Sequence, residues 1–154
     1  MSSRLQSEIK QTKPFATLEH EAMLGLMRTA AIVDHATDEM LRPYGLTGTQ
    51  FNVLRILRGA GQQGLCGREI GERMITKVPD VPRLLDRLEK AELITRERDP
   101  NDRRHVTARI TAKGRQILED VGAAPSNPIE KRFSQLGQEQ LQVLIEALDL
   151  IQQG

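Results

Sequence analysis

The sequence predicts a mainly α-helical protein with one β-hairpin between its fourth and fifth helices. Apolar residues recur at helical spacing over most of the 154 residues, and capping residues mark where the helices begin. Two short alternating segments flank a run rich in turn formers, which is typical of a hairpin. Hydrophobic residues make up 38% and charged residues 28% of the chain, so we expect one globular domain over 1–154.

Local signals place six helices, which begin at or near residues 17, 47, 67, 80, 111 and 127. The first is long and amphipathic and ends before Pro43. Thr47 and Gln50 fit a capping box at the start of the second. An N-cap at Asp80 would place Pro82 in the first turn of the fourth helix, where backbone N–H groups have no intrahelical partner. The last helix is expected to follow a cap at Asn127.

The hairpin is predicted from residues 94–98 and 106–110, with its tip between Asp99 and Arg104. The predicted elements follow in a fixed order: two helices, a short helix, a turn, a helix with basic residues on its outer side, and a hairpin. This order is that of a winged helix-turn-helix, in which a three-helix core is followed by a β-hairpin wing. We assign residues 46–118 to this lobe.

Charge is distributed unevenly along the chain. Residues 68–115 contain 13 Lys and Arg against 9 Asp and Glu, a net charge of +4, whereas the remaining residues have a net charge of −3. A basic middle segment between acidic arms indicates a lobe that binds nucleic acid. Aromatic residues are only 3% of the chain, which argues against a lobe that binds by stacking bases.

The start of the helix after the turn carries the candidate DNA contacts, and its cap Asp80 is counted among them. Arg83, one turn from that end, is suited to guanine in the major groove, and Pro82 to a thymine methyl group. Lys77 and Arg87 are expected to contact phosphates. Alternatively, Arg83 and Arg87 belong to a solvated helix face on which Asp80 and Asp86 are their partners.

At the hairpin tip, Asp102, Arg103 and Arg104 form a second candidate contact. An arginine on a protruding loop can enter a narrow, A·T-rich minor groove, whose negative potential attracts it. Asp102 is expected to pair with that arginine or with a neighbouring basic residue. The alternative is a polar turn with a surface salt bridge worth under about 1 kcal/mol.

These segments resemble the MarR family of winged-helix transcriptional regulators, most specifically over residues 68–118. The resemblance is strongest in the run RLLDRLEKAELITRERDPNDRRHVTARITAKG. Asp102 and Arg104 match the Asp-x-Arg of the family's wing, and Thr111 and Gly114 match the Thr-x-x-Gly after it. Many members have glycine where this chain has Glu92, and the break GAAPSNP interrupts what is usually one long helix.

The resemblance implies a homodimer built from both ends of the chain, a palindromic operator in double-stranded DNA and, often, a small aromatic or phenolic effector that relieves repression. Apolar stripes on the outer helices, which one protomer cannot cover, also favour a homodimer, with dimerisation helices over 15–45 and 119–154. A pocket for a phenol or aromatic carboxylate is expected between these helices and the lobe, from Leu26, Ala30, Val33, His35, Phe51 and Arg55. Alternatively, Phe51 is part of the core and Arg55 is a surface cation.

Other classes of function find less support in the residues. The chain has no Gly-rich phosphate loop and no G-x-S-x-G motif, so we expect no enzyme and no cofactor. Asp34, His35, Asp38 and Glu39 form an acidic stretch without the spacing of a metal site, and no metal is predicted. Cys66 is expected to be a small buried or capping residue, the alternative being a redox sensor.

We therefore predict a cytoplasmic DNA-binding regulator, since no run of about 18 apolar residues suggests a membrane segment. A redox- or metal-responsive regulator of the same fold, or a helical interaction protein that does not bind DNA, remains the alternative.

Overall fold

A computed structural model describes residues 3–154 of the chain. Eight α-helices and three short strands succeed one another along this part of the sequence. They are α1 (Arg4–Glu8), α2 (Leu18–Leu41), α3 (Gly48–Ala60), β1 (Leu65–Cys66), α4 (Gly67–Arg73), α5 (Val81–Lys90), β2 (Ile94–Arg98), β3 (Val106–Ile110), α6 (Ala112–Gly122), α7 (Pro128–Phe133) and α8 (Gln138–Gln153). Single 3₁₀ turns follow α2 at Arg42–Tyr44 and α3 at Gly61–Gln63.

The predicted helix starts are confirmed by their caps. The side chains of Thr17, Thr47, Asp80, Thr111 and Asn127 each accept a hydrogen bond from a backbone N–H in the first turn of the following helix. At Thr47 the capping box is complete, because the Gln50 side chain accepts from the Thr47 N–H at 3.1 Å. Each cap satisfies N–H groups that would otherwise lack a partner, which contributes about 1 kcal/mol.

The hairpin has the predicted bounds and belongs to a three-stranded antiparallel sheet in the order β1-β3-β2. Ile94 pairs with Ile110 in β2 and β3, and Leu65 pairs with Ala108 in β1 and β3. The strand β1 was not predicted, because two residues are too few to show alternation. Its pairing with β3 connects the hairpin to the start of α4.

Two further differences from the sequence prediction lie near the ends of the chain. The helix α1 was not predicted, and the helix expected to continue from Asn127 divides into α7 and α8. At the division, the Ser134 hydroxyl donates to the Lys131 carbonyl at 2.9 Å, a contact that competes with the helical pattern. A new helix then begins after Gly137, whose N–H donates to the Gln140 side chain at 3.0 Å.

The buried core lies among α3, α4, α5, α6 and the sheet. Its apolar residues are Leu41, Leu46, Val53, Leu54, Leu57, Leu65, Ile70, Met74, Leu85, Leu88, Leu93, Ile94, Ala108, Ile110 and Leu118. In α5 the residues Leu85 and Leu88 are buried, whereas Val81 and Leu84 are half-buried. Burying one such leucine contributes about 1.5–3 kcal/mol. The core thereby fixes which side of α5 faces solvent.

The start of α6 packs closely against the hairpin at Gly114. A Cβ atom at this position would lie 2.5 Å from the carbonyl oxygen of Leu93 and 2.8 Å from Cγ1 of Ile110. Only glycine leaves room for the backbone of α6 to approach the strands this closely. The Thr111-x-x-Gly114 motif thus combines a helix cap with a packing requirement.

Candidate nucleic-acid interface

The start of α5 is anchored by its cap. Asp80 Oδ1 accepts a hydrogen bond from the Arg83 N–H at 3.0 Å, and Pro82 lies in the first turn as predicted. Since Leu85 and Leu88 point into the core, Pro82, Arg83 and Arg87 lie on the exposed side. The helix therefore presents its N-terminal residues outward on a rigid support.

Arg83 and Arg87 carry charges that the protein does not neutralise. No ion pair of residues 3–154 includes either guanidinium. Asp80 contacts a backbone N–H, and Asp86 pairs with Arg96 of β2. The alternative in which Asp80 and Asp86 are partners of these arginines is therefore wrong.

The turn before α5 is fixed by two contacts, and Lys77 makes one of them. Its ammonium group donates to the carbonyl oxygens of Gly71 at 2.7 Å and Glu72 at 2.8 Å. It therefore caps the C-terminal end of α4, where a cation is favoured. On the other side of the turn, the Ile75 N–H donates to Asn52 Oδ1 at 3.0 Å. A phosphate contact by Lys77 stays a prediction.

A cluster of charges joins α5 to the wing. The Arg96 guanidinium, through Nη2, contacts Asp86 and also lies 3.1 Å from Glu89 Oε1. The Arg96 N–H donates to Glu89 Oε2 at 3.0 Å. The hydrogen bond that the Arg96 guanidinium donates to Glu89 raises the pKa of Arg96 further above its ordinary range, so the guanidinium stays charged.

The tip of the wing is shaped by backbone hydrogen bonds. The Asp99 N–H donates to the His105 carbonyl at 2.9 Å, and the His105 N–H donates to the Asp102 carbonyl at 3.0 Å. Asp102 Oδ1 accepts from the Arg104 N–H at 3.0 Å. The expected pairing of Asp102 with an arginine side chain is therefore wrong: its carboxylate accepts from the backbone of a tight loop, as aspartate does in many turns.

Arg103 and Arg104 are both exposed at this tip. The Arg103 carbonyl accepts from the Arg98 guanidinium at 3.3 Å, which supports the loop from β2. No carboxylate of the described residues forms an ion pair with Arg103 or Arg104. The wing and α5 thus both present unpaired guanidinium groups.

The residues predicted to line an effector pocket are spread over two helices. Leu26, Ala30 and His35 are exposed on α2 and Val33 is half-buried. Phe51 packs against the core, and the Arg55 guanidinium lies 5.8 Å from the centre of its ring. Two surface cavities lie elsewhere, one between α1 and the start of α2 and one beside α7.

The predicted acidic stretch of α2 is engaged in local contacts. Asp38 Oδ1 accepts from the Gly48 N–H at 2.8 Å, and Glu39 pairs with Arg42. Within residues 3–154, no three His, Cys, Asp or Glu side chains come together as metal ligands would. None of the helices described has the length and apolar character needed to cross a membrane.

Cys66 occupies the N-cap position of α4 and is half-buried. Its N–H donates to Glu69 Oε1 at 3.1 Å, and this hydrogen bond lowers the pKa of the Glu69 carboxyl below its ordinary 4.5. Of the two expected roles, a buried or a capping residue, the N-cap position is confirmed, whereas full burial is not.

Sequence reasoning missed Asn52 and Arg96. Asn52 lies 23 residues before the N–H that it fixes, and nothing in the local pattern indicates the contact. The alternation of β2 places Arg96 on one face, but the neighbouring helix that supplies its partners emerges only from the folded chain.

A helix on a rigid apolar support, a fixed turn and a protruding basic hairpin define this molecule as a winged helix-turn-helix protein. The family model described as "MarR family" matches residues 46–106. The HTH-type transcriptional regulator MhqR of Bacillus subtilis (strain 168) is 32% identical over 118 residues, which cover 77% of this chain and 79% of that protein. The chain belongs to the MarR family, which confirms the resemblance seen in the sequence.

Solved structures agree with this assignment. A MarR transcription factor from Planctomyces limnophilus is 32% identical, with a TM-score of 0.67, and the match covers 89% of this chain and 99% of that one. The transcriptional repressor CouR, solved bound to a 23-mer DNA duplex, is 27% identical with a TM-score of 0.73 over 90% of this chain and 99% of CouR. The curated relatives are transcriptional regulators rather than enzymes.

Proposed function

We propose that this protein is a sequence-specific regulator of transcription that binds double-stranded DNA through α5 and the wing. The proposal rests above all on Arg83, an exposed and unpaired guanidinium near the N-terminal end of a helix whose opposite side is buried. Such a helix fits the major groove, where arginine donates two hydrogen bonds to guanine. Arg104 on the wing would enter the adjacent minor groove.

Support for a homodimer comes from the apolar surface of the outer helices. Met23 and Met27 of α2 are 50% and 61% exposed, and the neighbouring Leu144 and Ile145 of α8 are 37% and 51% exposed. No residue of α8 is buried in the protomer. A second copy that covers these faces would place two α5 helices in successive major grooves roughly 10 base pairs apart, and thus on a palindromic operator.

DNA selection tests the first part of this proposal. Full-length protein is incubated with random-sequence duplexes, the bound duplexes are amplified, and the affinity of the recovered sequence is measured by fluorescence anisotropy. We expect a palindromic sequence whose affinity falls steeply between about 50 and 200 mM salt, because binding releases counterions from the phosphates. Affinity that does not change with salt would exclude this function.

Sedimentation velocity tests the dimer. We expect Ile145→Glu to shift the protein towards monomer, because it places a charge in the covered face, whereas Gln142→Glu adds the same charge at a polar exposed position of α8 and leaves the dimer intact. A wild-type monomer at micromolar concentration that binds a half-site tightly would contradict this part.

We further propose that the protein represses transcription and is released by a small aromatic carboxylate or phenol. The support for release is the Phe51–Arg55 pair, which joins an aromatic face to an exposed cation on α3, a helix that contacts α2. Salicylate is titrated into the protein with and without the selected duplex, and Arg55→Gln is the comparison variant. We expect salicylate to weaken operator binding in the wild type and less in the variant. If salicylate bound tightly but left the affinity for the operator unchanged, release by the effector would be contradicted. A ligand shifts the equilibrium between two conformations only when it binds them with unequal affinity.

A further inference from the structure

The exposed side of α5 carries acidic as well as basic residues. Arg83, Asp86 and Lys90 are three and four residues apart and so share one face of the helix, and Glu89 lies three residues after Asp86. A carboxylate in this position would repel the phosphates of a bound duplex. It would also pair with Arg83 or Lys90, because opposite charges at these spacings attract each other on a helix surface.

The wing strand β2 supplies a group that counteracts both effects. Arg96 contacts Asp86 and Glu89 with the same Nη2 atom, and its own backbone N–H donates to Glu89. Its side chain is 22% exposed, whereas those of Asp86 and Glu89 are 54% and 41% exposed. One guanidinium from outside the helix therefore holds both carboxylates, and Asp86 forms no ion pair with Arg83 or Lys90.

Building on the DNA-binding function proposed above, we infer that Arg96 is a positioning residue that acts on DNA binding through Asp86 and Glu89. Its single positive charge offsets one of the two negative charges, and its contact draws Asp86 away from Arg83, so that Arg83 and Lys90 stay available to DNA. The wing thus contributes to recognition from its base as well as from its tip.

Four full-length variants test this inference: Arg96→Gln, Asp86→Asn with Glu89→Gln, the three substitutions together, and Arg109→Gln as the matched control. Arg109 lies in the same sheet and pairs with Glu97 at 3.4 Å, so its loss removes an equal charge and an ion pair away from α5. The amides keep the size of the carboxylates, and the amide oxygen that Glu89→Gln introduces can still accept from the Arg96 N–H. Affinity for the selected duplex is measured over a range of salt concentrations, and thermal unfolding reports on the fold.

We expect Arg96→Gln to weaken binding by about tenfold, most strongly at low salt, because two uncompensated carboxylates then face the duplex. Adding the two amide substitutions should restore affinity to within about threefold of the wild type. Arg109→Gln should have a much smaller effect on affinity, because the ion pair that it removes lies away from α5.

Three results would overturn the inference. They are wild-type affinity in Arg96→Gln, a folded triple variant that stays as weak as Arg96→Gln, and weakened binding in the Asp86→Asn, Glu89→Gln variant. Weakened binding in the Asp86→Asn, Glu89→Gln variant would mean that the ion pairs act only as structural links between α5 and the wing. This variant tests the inference even if Arg96→Gln does not fold. Failure of the wild-type protein to bind any duplex would instead count against the proposed function itself.

Discussion

The hydroxyl of Thr111 donates a hydrogen bond to the backbone carbonyl of Glu92 at 2.8 Å and so joins the end of α5 to the start of α6. The Thr111 N–H donates to the Leu93 carbonyl at 3.0 Å. Glu92 itself adopts a φ of 62°, in the left-handed region that favours glycine. The helix that we propose reads DNA ends at Lys90 and is therefore followed, at Glu92, by a residue in a strained conformation.

Replacing this residue is expected to stabilise the protein. Glu92→Gly should raise the free energy of unfolding by about 1 kcal/mol, because glycine has no Cβ to clash in the left-handed conformation. Urea unfolding followed by circular dichroism measures the change. Glu92→Ala is the control, because it removes the carboxylate near Lys113 but keeps the strain. A Glu92→Gly protein that is less stable than Glu92→Ala would contradict the prediction.

Arg83 and Lys77 should differ in their effect on DNA binding. Arg83→Ala is expected to cost about 1–3 kcal/mol and to relax the preference at one base position, because it removes a base contact. Lys77→Ala should weaken all sequences alike and reduce the dependence on salt. Because Lys77 also caps α4, its variant should lose some stability as well.

Competition with single-base variants of the selected duplex separates the two effects. Arg132→Ala on α7 serves as a control for the loss of an exposed positive charge outside the lobe. An Arg83→Ala protein that is uniformly weaker on every duplex would show that Arg83 contacts phosphate rather than a base.

The contribution of Arg104 to DNA affinity should depend on the width of the minor groove. Arg104→Ala is expected to lose about tenfold in affinity, or ~1.4 kcal/mol, on duplexes with A·T pairs beneath the wing, because a narrow minor groove attracts arginine. Two duplexes that differ only in those base pairs measure the effect. Arg104→Lys keeps the charge and should keep part of the affinity. Equal losses on A·T and G·C duplexes would indicate an ordinary phosphate contact.

Glu69 gives the start of α4 a dependence on pH. Its pKa is lowered by the hydrogen bond from the Cys66 N–H, so the folded state binds the proton less tightly than the unfolded chain. This contribution to stability is present above the unfolded pKa of about 4.5 and is lost as the pH falls through the lower folded value. Glu69→Gln should therefore reduce the loss of stability between about pH 5 and about pH 3, as measured by urea unfolding. If the wild type and Glu69→Gln lost the same amount of stability as the pH falls, the prediction would be contradicted.

The features predicted from the sequence are those that depend on a few neighbouring residues. Capping by Thr47 and Asp80 involves contacts within one helical turn, so residue type and spacing were enough to find them. The hairpin strands alternate over five residues each, which is long enough to show a period of two.

The missed features depend on contacts between distant segments or on very short elements. The strand β1 exists because Leu65 meets Ala108, and no property of Leu65 and Cys66 alone indicates it. In the sequence Arg96 is one of several charged residues of β2, and its partners on α5 become evident only in the folded protein. The sequence predicts an arginine side chain as the partner of Asp102, whereas in the tight loop its carboxylate accepts from the backbone N–H of Arg104.

The order of the sheet has a consequence for how copies of this protein associate. The strand β2 lies at the edge, where unpaired N–H and C=O groups invite a strand from another chain. Glu89 occupies one of these groups by accepting from the Arg96 N–H, and charges at Arg96, Glu97 and Arg98 line the edge. Charged edges of this kind protect a protein against aggregation through its strands. We therefore expect the charged edge of β2 to disfavour the pairing of wings from neighbouring molecules into a continuous sheet.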